Sequence, residues 1–205
     1  MYTLAAENIG KQFGSRKVFS GITFELRTGE SLAVIGRNGS GKSTLLMLLL
    51  GLHHATRGEV HYALDGKPLD ERRLRSRVAL VAPYLNLYDQ LTGEENLTFL
   101  ATLSGLNLTG SRMSELLAQV GLEGRGSDLM GTYSSGMKQR LKYAAALMKN
   151  PCYFFLDEPT SNLDSDGKQI VRQIIEDRRS ESVIIIATNE EQEYALADGT
   201  FRLDQ

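Results

Sequence analysis

Short apolar runs and longer amphipathic stretches alternate along most of the chain. Ser31–Gly36 (SLAVIG), Val78–Ala82 (VALVA), Cys152–Asp157 (CYFFLD) and Val183–Thr188 (VIIIAT) are rich in β-branched and aromatic residues. They lack period-2 alternation, which predicts strands buried on both faces of a parallel sheet. Between them the pattern predicts helices over about Lys42–Leu50, Glu94–Leu103, Arg112–Val120, Gly136–Met148 and Ser165–Arg178. Strand and helix alternation of this kind argues for an α/β fold with a mostly parallel core sheet. The N-terminal third reads differently: Tyr2–Asn8 and Phe19–Leu26, with Gly-, Lys- and Arg-rich turns between them, predict an antiparallel β part. From Pro83 to Lys149 no apolar run has the make-up of a buried strand, so this stretch is expected to be a helical insertion. No internal repeat or low-complexity linker divides the chain. The expected organisation is one domain over 1–205, with a core of 1–82 and 150–205 and an inserted helical subdomain over about 83–149.

Composition narrows the class of function. The chain has 205 residues, 41% hydrophobic and 23% charged, ordinary for a globular domain and too apolar for a disordered one. Its net charge of −2 supplies no basic field, so no nucleic-acid partner is expected. The single cysteine, Cys152, cannot form an internal disulfide, and its apolar surroundings fit a buried free thiol in a reducing compartment. The longest strongly apolar stretch, Leu45–Leu52, is interrupted by Gly51 and falls far short of the ~20 residues of a spanning helix. Neither end carries a signal peptide or lipidation box. A cytoplasmic location is expected, with any membrane association made through a partner.

The strongest chemical signal is Gly36-Arg37-Asn38-Gly39-Ser40-Gly41-Lys42-Ser43-Thr44, which fits GxxxxGK[ST] between a predicted strand and a predicted helix. Glycines at 36, 39 and 41 let the backbone curl so that successive N–H groups point at phosphate oxygens. The helix N-terminus adds partial positive charge. Lys42 reaches the β- and γ-phosphates and the Ser43 hydroxyl ligates Mg²⁺. Asn38, Ser40 and Thr44 complete a candidate nucleotide-binding loop. A plain glycine-rich turn does not account for Lys-Ser after the last glycine.

A phosphate loop needs a metal partner on a neighbouring strand. The run Cys152–Leu156 ends in Asp157 and Glu158, where loops at the carboxyl ends of strands face a ligand. Asp157 is the expected Mg²⁺ partner, and Glu158 the group that orients and deprotonates the attacking water. Two such acids also open helices, but Pro159 favours a turn here.

With these residues placed, the chain resembles the nucleotide-binding domain of ATP-binding cassette (ABC) transporters, a P-loop NTPase. Tyr133-Ser134-Ser135-Gly136-Met137-Lys138-Gln139-Arg140 is similar to the family signature, usually LSGGQ followed by basic and Gln residues. Ser161-Asn162-Leu163-Asp164 matches the D-loop, and Phe13 sits where the family places an aromatic that stacks on adenine. The resemblance covers residues 3–203 and carries five motifs in order. It implies ATP with Mg²⁺ as ligands and hydrolysis as the activity. It also implies a head-to-tail dimer with a second nucleotide-binding subunit, identical or paralogous, in which Ser134, Ser135, Gly136 and Met137 touch the γ-phosphate held by the other subunit. Asp164 belongs to that interface. An integral membrane permease docks near Pro83–Asn96, with Tyr84, Leu87 and Tyr88 as candidate contacts, which makes the subunit peripheral on the inner face of the cell membrane. Within the family, the small size and the signature wording resemble the cytochrome c maturation haem exporter ATPase and compact bacterial exporters.

Two positions depart from the family pattern. Pro83 stands where a Gln is usual, and it brings no side-chain donor or acceptor; Tyr84 is adjacent. Asn189 stands at the usual switch His. It donates a hydrogen bond through its amide but cannot carry a positive charge or shuttle a proton. A working but slow ATPase is expected. The alternatives are an ATP-binding subunit with little hydrolysis and a soluble ABC ATPase without a membrane partner.

Overall fold

The computed structural model describes residues 1–203. Asp204 and Gln205, and with them the end of the expected core segment and of the carboxyl terminus, lie outside it. In chain order the elements are β1 (Tyr2–Phe13), β2 (Arg16–Arg27), β3 (Ser31–Ile35), α1 (Lys42–Leu49), β4 (Arg57–Leu64), β5 (Lys67–Pro68), α2 (Glu71–Arg75) and β6 (Val78–Val81). There follow α3 (Gly93–Leu103), α4 (Gly110–Gln119), a 3-10 turn (Met130–Thr132), α5 (Ser135–Leu147), β7 (Tyr153–Asp157), α6 (Ser165–Arg179), β8 (Val183–Thr188), α7 (Glu191–Tyr194) and β9 (Gly199–Arg202). Among the described residues no helix is long and apolar enough to cross a membrane.

Two sheets result. The first is antiparallel, with order β2-β1-β4-β5; the second is parallel, with order β6-β7-β8-β3-β9. The α/β fold with an antiparallel N-terminal part, expected from the hydrophobic pattern, is present. Strand polarity explains why the central runs are apolar without alternation. On β7 and β8, Phe154, Leu156, Ile184 and Ile186 face one core together with α4, α5 and α6. Tyr153, Phe155, Val183 and Ile185 point the other way, into a second core shared with α1, β1 and β2. Successive side chains alternate faces, so a strand covered on both sides must be apolar at every position.

The antiparallel part extends further than the hydrophobic pattern predicts. β1 runs on through Glu7–Gln12, a mostly polar stretch around the buried Ile9, with register irregularities from Ala6 to Gln12 and Asn8 at φ 51°. A two-residue turn, Gly14-Ser15, joins it to β2, with Gly14 at φ 56° supplying the left-handed turn position. β4, β5 and β9 were not expected. The basic run Glu71–Arg77 begins as the short exposed helix α2, capped by Asp70.

One side chain joins the two sheets. Tyr153 on β7 is fully buried, and its hydroxyl donates toward the carbonyl oxygens of Thr3 on β1 and Ala63 on β4, each at 3.0 Å. Tyr62 meets its ring edge-on at 4.8 Å. Tyr153→Phe keeps the packing and removes only the hydroxyl. It should lower stability by about 1 kcal/mol, read as a lower urea midpoint with an unchanged slope.

Candidate functional site

Strand register sets the site. Ile35 pairs with Thr188, and Ala187 with Asp157, so β3, β8 and β7 finish abreast. The residues that follow them, Gly36, Asn189 and Glu158, leave the sheet along one edge. In open α/β sheets this carboxyl edge is where ligands sit.

The loop from Gly36 to Gly41 joins β3 to α1. A Cβ on Gly36 would lie 2.8 Å from the Leu203 carbonyl oxygen, and one on Gly41, at φ 103°, would lie 2.5 Å from Val18. Neither position has room for a side chain. The helices α3, α4, α5 and α6 are capped by Thr92, Thr109, Ser134 and Asp164, whereas α1 has no side-chain cap and no acid in its first turn. Its first N–H groups and the positive end of its dipole are therefore available to an anion. Lys42, only 6% exposed, turns its ammonium back to donate to the carbonyls of Gly36 (2.8 Å) and Arg37 (3.2 Å). Ser40 Oγ is buried without a hydrogen-bond partner. Ser43 is exposed and Thr44 half-buried at the helix start.

Asp157 ends β7 as a buried carboxylate, and its Oδ2 has no hydrogen-bond partner. Burial pushes its pKa up; the hydroxyls of Ser43 and Tyr84, which face it, and the nearby Lys42 act in the opposite direction. The carboxylate and the two hydroxyls beside it offer oxygen atoms, the type that hard cations take. Glu158 follows in the left-handed region, at φ 46°, with its N–H donating to Ala187 O at 2.8 Å. Asn189 lies across from the phosphate loop, its amide Nδ2 donating to Asn38 Oδ1 at 3.2 Å.

Pro83 has a geometric role even without a functional side chain. It occupies the second position of a turn closed by Leu85 N–H to Ala82 O at 3.3 Å, where its fixed φ is suited. Lys142 on α5 donates to the carbonyls of Ala82 (3.2 Å) and Pro83 (2.8 Å). Together they set Tyr84 beside Asp157. Burial, then the Asp157 charge, raises the Tyr84 hydroxyl pKa, so the group stays protonated as a donor.

The other candidates lie apart from this cluster. Ser134 caps α5 by accepting from Met137 N–H at 3.2 Å, and Ser134 and Ser135 are exposed. Gly136 and Met137 are half-buried in the first turn, and a Cβ on Gly136 would come 3.2 Å from Asn162 O. Asp164 caps α6 through Gly167 N–H at 2.8 Å. Phe13, at the tip of the β1–β2 hairpin, is 49% exposed, with the Lys11 ammonium 4.7 Å from its ring centroid and His53 meeting its edge at 6.0 Å.

Two residues of this region escaped the sequence reading. Lys142 sits in a helix among alanines, and Glu193 is one of three acids within Glu190–Glu193. Charge and spacing give neither away; only the fold shows that Glu193 alone of those three is buried.

A family model described as ABC transporter matches residues 19–161. The linearmycin resistance ATP-binding protein of Bacillus subtilis is 34% identical over 98% of this chain and 66% of its own length. Nod factor export ATP-binding protein I of Burkholderia orbicola is 34% identical over 80% of this chain and 55% of its own. The chain thus spans between about half and two thirds of these relatives. A solved ATP-binding cassette, a dimer in a post-hydrolysis state with ADP and phosphate, superimposes with a TM-score of 0.85 at 25% identity. That likeness covers 98% of this chain and 94% of the other. Matched by the family model over well more than half its length, the chain belongs to the ABC transporter family.

Proposed function

We propose that this chain binds ATP with Mg²⁺ and hydrolyses it to power an ABC transporter, as a dimer with a second nucleotide-binding subunit docked on an integral membrane permease. The observation that carries this reading is the convergence of the uncapped helix α1, the buried Asp157 and the left-handed Glu158 on one edge of the sheet.

The triphosphate lies in the Gly36–Gly41 loop. Lys42 exchanges its two carbonyl partners for β- and γ-phosphate oxygens, which bring charge as well as acceptors. Asp157 and Ser43 are the residues that hold Mg²⁺: the unpartnered Oδ2 and the facing hydroxyl are hard oxygen donors. A divalent cation held there would supply charge neutralisation for the β- and γ-phosphates. Glu158 accepts a proton from water as the water oxygen bonds to the γ-phosphorus, and the bond to the ADP oxygen breaks with its electron pair left on ADP. Asn189 donates a hydrogen bond to the γ-phosphate but carries no charge, which makes turnover slow. Adenine stacks on the Phe13 face opposite Lys11.

The exposed start of α5, with Ser134, Ser135, Gly136 and Met137, reads the γ-phosphate held by the partner subunit, and Asp164 lies at the same interface. The permease meets the helical subdomain, 83–149, where Tyr84, Tyr88, Phe99 and Leu103 are exposed and Tyr88 packs edge-on against Phe99 at 5.2 Å. Leu87 is half-buried against the core and serves packing more than contact. The subunit is accordingly peripheral, on the inner face of the membrane.

Single-turnover hydrolysis tests the catalytic assignment. Glu158→Gln should slow the chemical step at least ~100-fold while Mg²⁺-ATP still binds; equal rates would overturn a general-base role. Asn189→His should raise turnover roughly tenfold if the switch position acts through charge or proton transfer. The buried carboxylate gives a test without nucleotide. Its folded pKa is raised above the unfolded value, so the penalty is fully present above the folded pKa and fades as pH falls toward the ordinary Asp range. Asp157→Asn should therefore raise the Tm of the ligand-free chain by about 2–4 °C near pH 7, with the gap closing on acidification.

A further inference from the structure

Beneath the catalytic edge lies a buried carboxylate that the mechanism above does not use. Glu193, in the short helix α7, is 2% exposed and has no ion pair among the described residues. Both of its oxygens are hydrogen-bonded. Oε1 accepts from the Thr160 backbone N–H (2.8 Å) and from the Thr160 hydroxyl; Oε2 accepts from the Thr188 hydroxyl. Thr188 Oγ1 accepts in turn from Glu190 N–H at 2.9 Å. Thr160 is two residues past Glu158, and Thr188 immediately precedes Asn189. One side chain thus links the loop carrying the acid to the loop carrying the switch-position amide.

The Glu158 loop needs such support. A non-glycine residue in the left-handed region costs of order 1–3 kcal/mol and persists only where its surroundings over-determine it. Here the turn is held by Ser161 N–H on Glu158 O (3.1 Å), by the buried Tyr143 hydroxyl on Pro159 O (2.8 Å), and by Glu193 on Thr160. The first two stay on the β7 side. The Glu158 N–H on Ala187 O (2.8 Å) ties the turn to β8 through the main chain, and Glu193 adds a side-chain tie to the end of β8, through charge-assisted hydrogen bonds of the stronger kind.

We propose that Glu193 is a positioning residue for ATP hydrolysis, holding Glu158 and Asn189 in one relative placement through Thr160 and Thr188. This rests on the reading of Glu158 as general base. Glu193→Gln keeps the size but sets an amide N–H₂ against donors; Thr188→Val keeps the shape and removes one donor. In each variant the Kd for Mg²⁺-ATP should stay within about twofold, because the phosphate loop is untouched. The single-turnover rate should fall by roughly tenfold to a hundredfold, the scale of an ångström-sized misplacement. Glu191→Gln, exposed on the same helix, should leave both values unchanged.

If Glu193→Gln does not fold, which its melting curve reports, Thr188→Val decides. Loss of nucleotide binding in step with rate would make Glu193 merely structural and overturn the proposal. Wild-type rates in Glu193→Gln and Thr188→Val, with Glu158→Gln inactive, would overturn the positioning role alone. A wild-type rate in Glu158→Gln would instead remove the general base, and the positioning role with it.

Discussion

The site depends on three parallel strands ending in step. β7 and β8 are buried at every position, so a one-residue slip would move Phe154 and Leu156 from the helical core into the one beneath the antiparallel sheet. Packing on both faces forbids that slip. It thereby fixes where Asp157, Asn189 and the phosphate loop stand relative to one another, to within a fraction of the strand repeat. The precision of the polar edge is inherited from apolar layers that never touch a nucleotide.

Against that rigid frame, the edge itself is under-satisfied. Asp157 Oδ2 and Ser40 Oγ are buried without partners, α1 lacks a cap, Glu158 is left-handed, and Lys42 makes do with loop carbonyls. A structure selected for stability alone would have filled these vacancies. Gathered at one place, they mark the atoms an anion and a hard cation would satisfy. The departures fit the same view. Pro83 contributes a preset turn, and Lys142 grips the carbonyls on either side of it, so a proline at that position still orders its neighbour Tyr84.

Much of the fold is legible because burial on both faces leaves apolar runs that no loop tolerates. The four runs SLAVIG, VALVA, CYFFLD and VIIIAT became β3, β6, β7 and β8. β4 escaped because it carries no continuous apolar run: RGEVHYAL sets Val60, Tyr62 and Leu64 at alternate positions, and of these only Tyr62 is buried. β1 is longer than expected because its outer half is irregular and mostly polar, with Ile9 its one large buried side chain, and it pairs with both β2 and β4. The phosphate loop and the acid pair are contiguous in sequence and could be read from it. The Glu193 bridge could not be: its partners Thr160 and Thr188 lie 33 and 5 residues away, and threonine carries no distinguishing signal.

The cap of α5 carries a chemical restriction of its own. Ser134 satisfies the helix by lending a lone pair to Met137 N–H, which leaves its own proton unspent. Aspartate would serve α5 equally well in that respect, yet it would offer a neighbouring phosphate a like charge and nothing to donate. Helix-end chemistry alone would accept either residue. The hydroxyl is the one that can face two ways at once, toward its own backbone and outward to an anion.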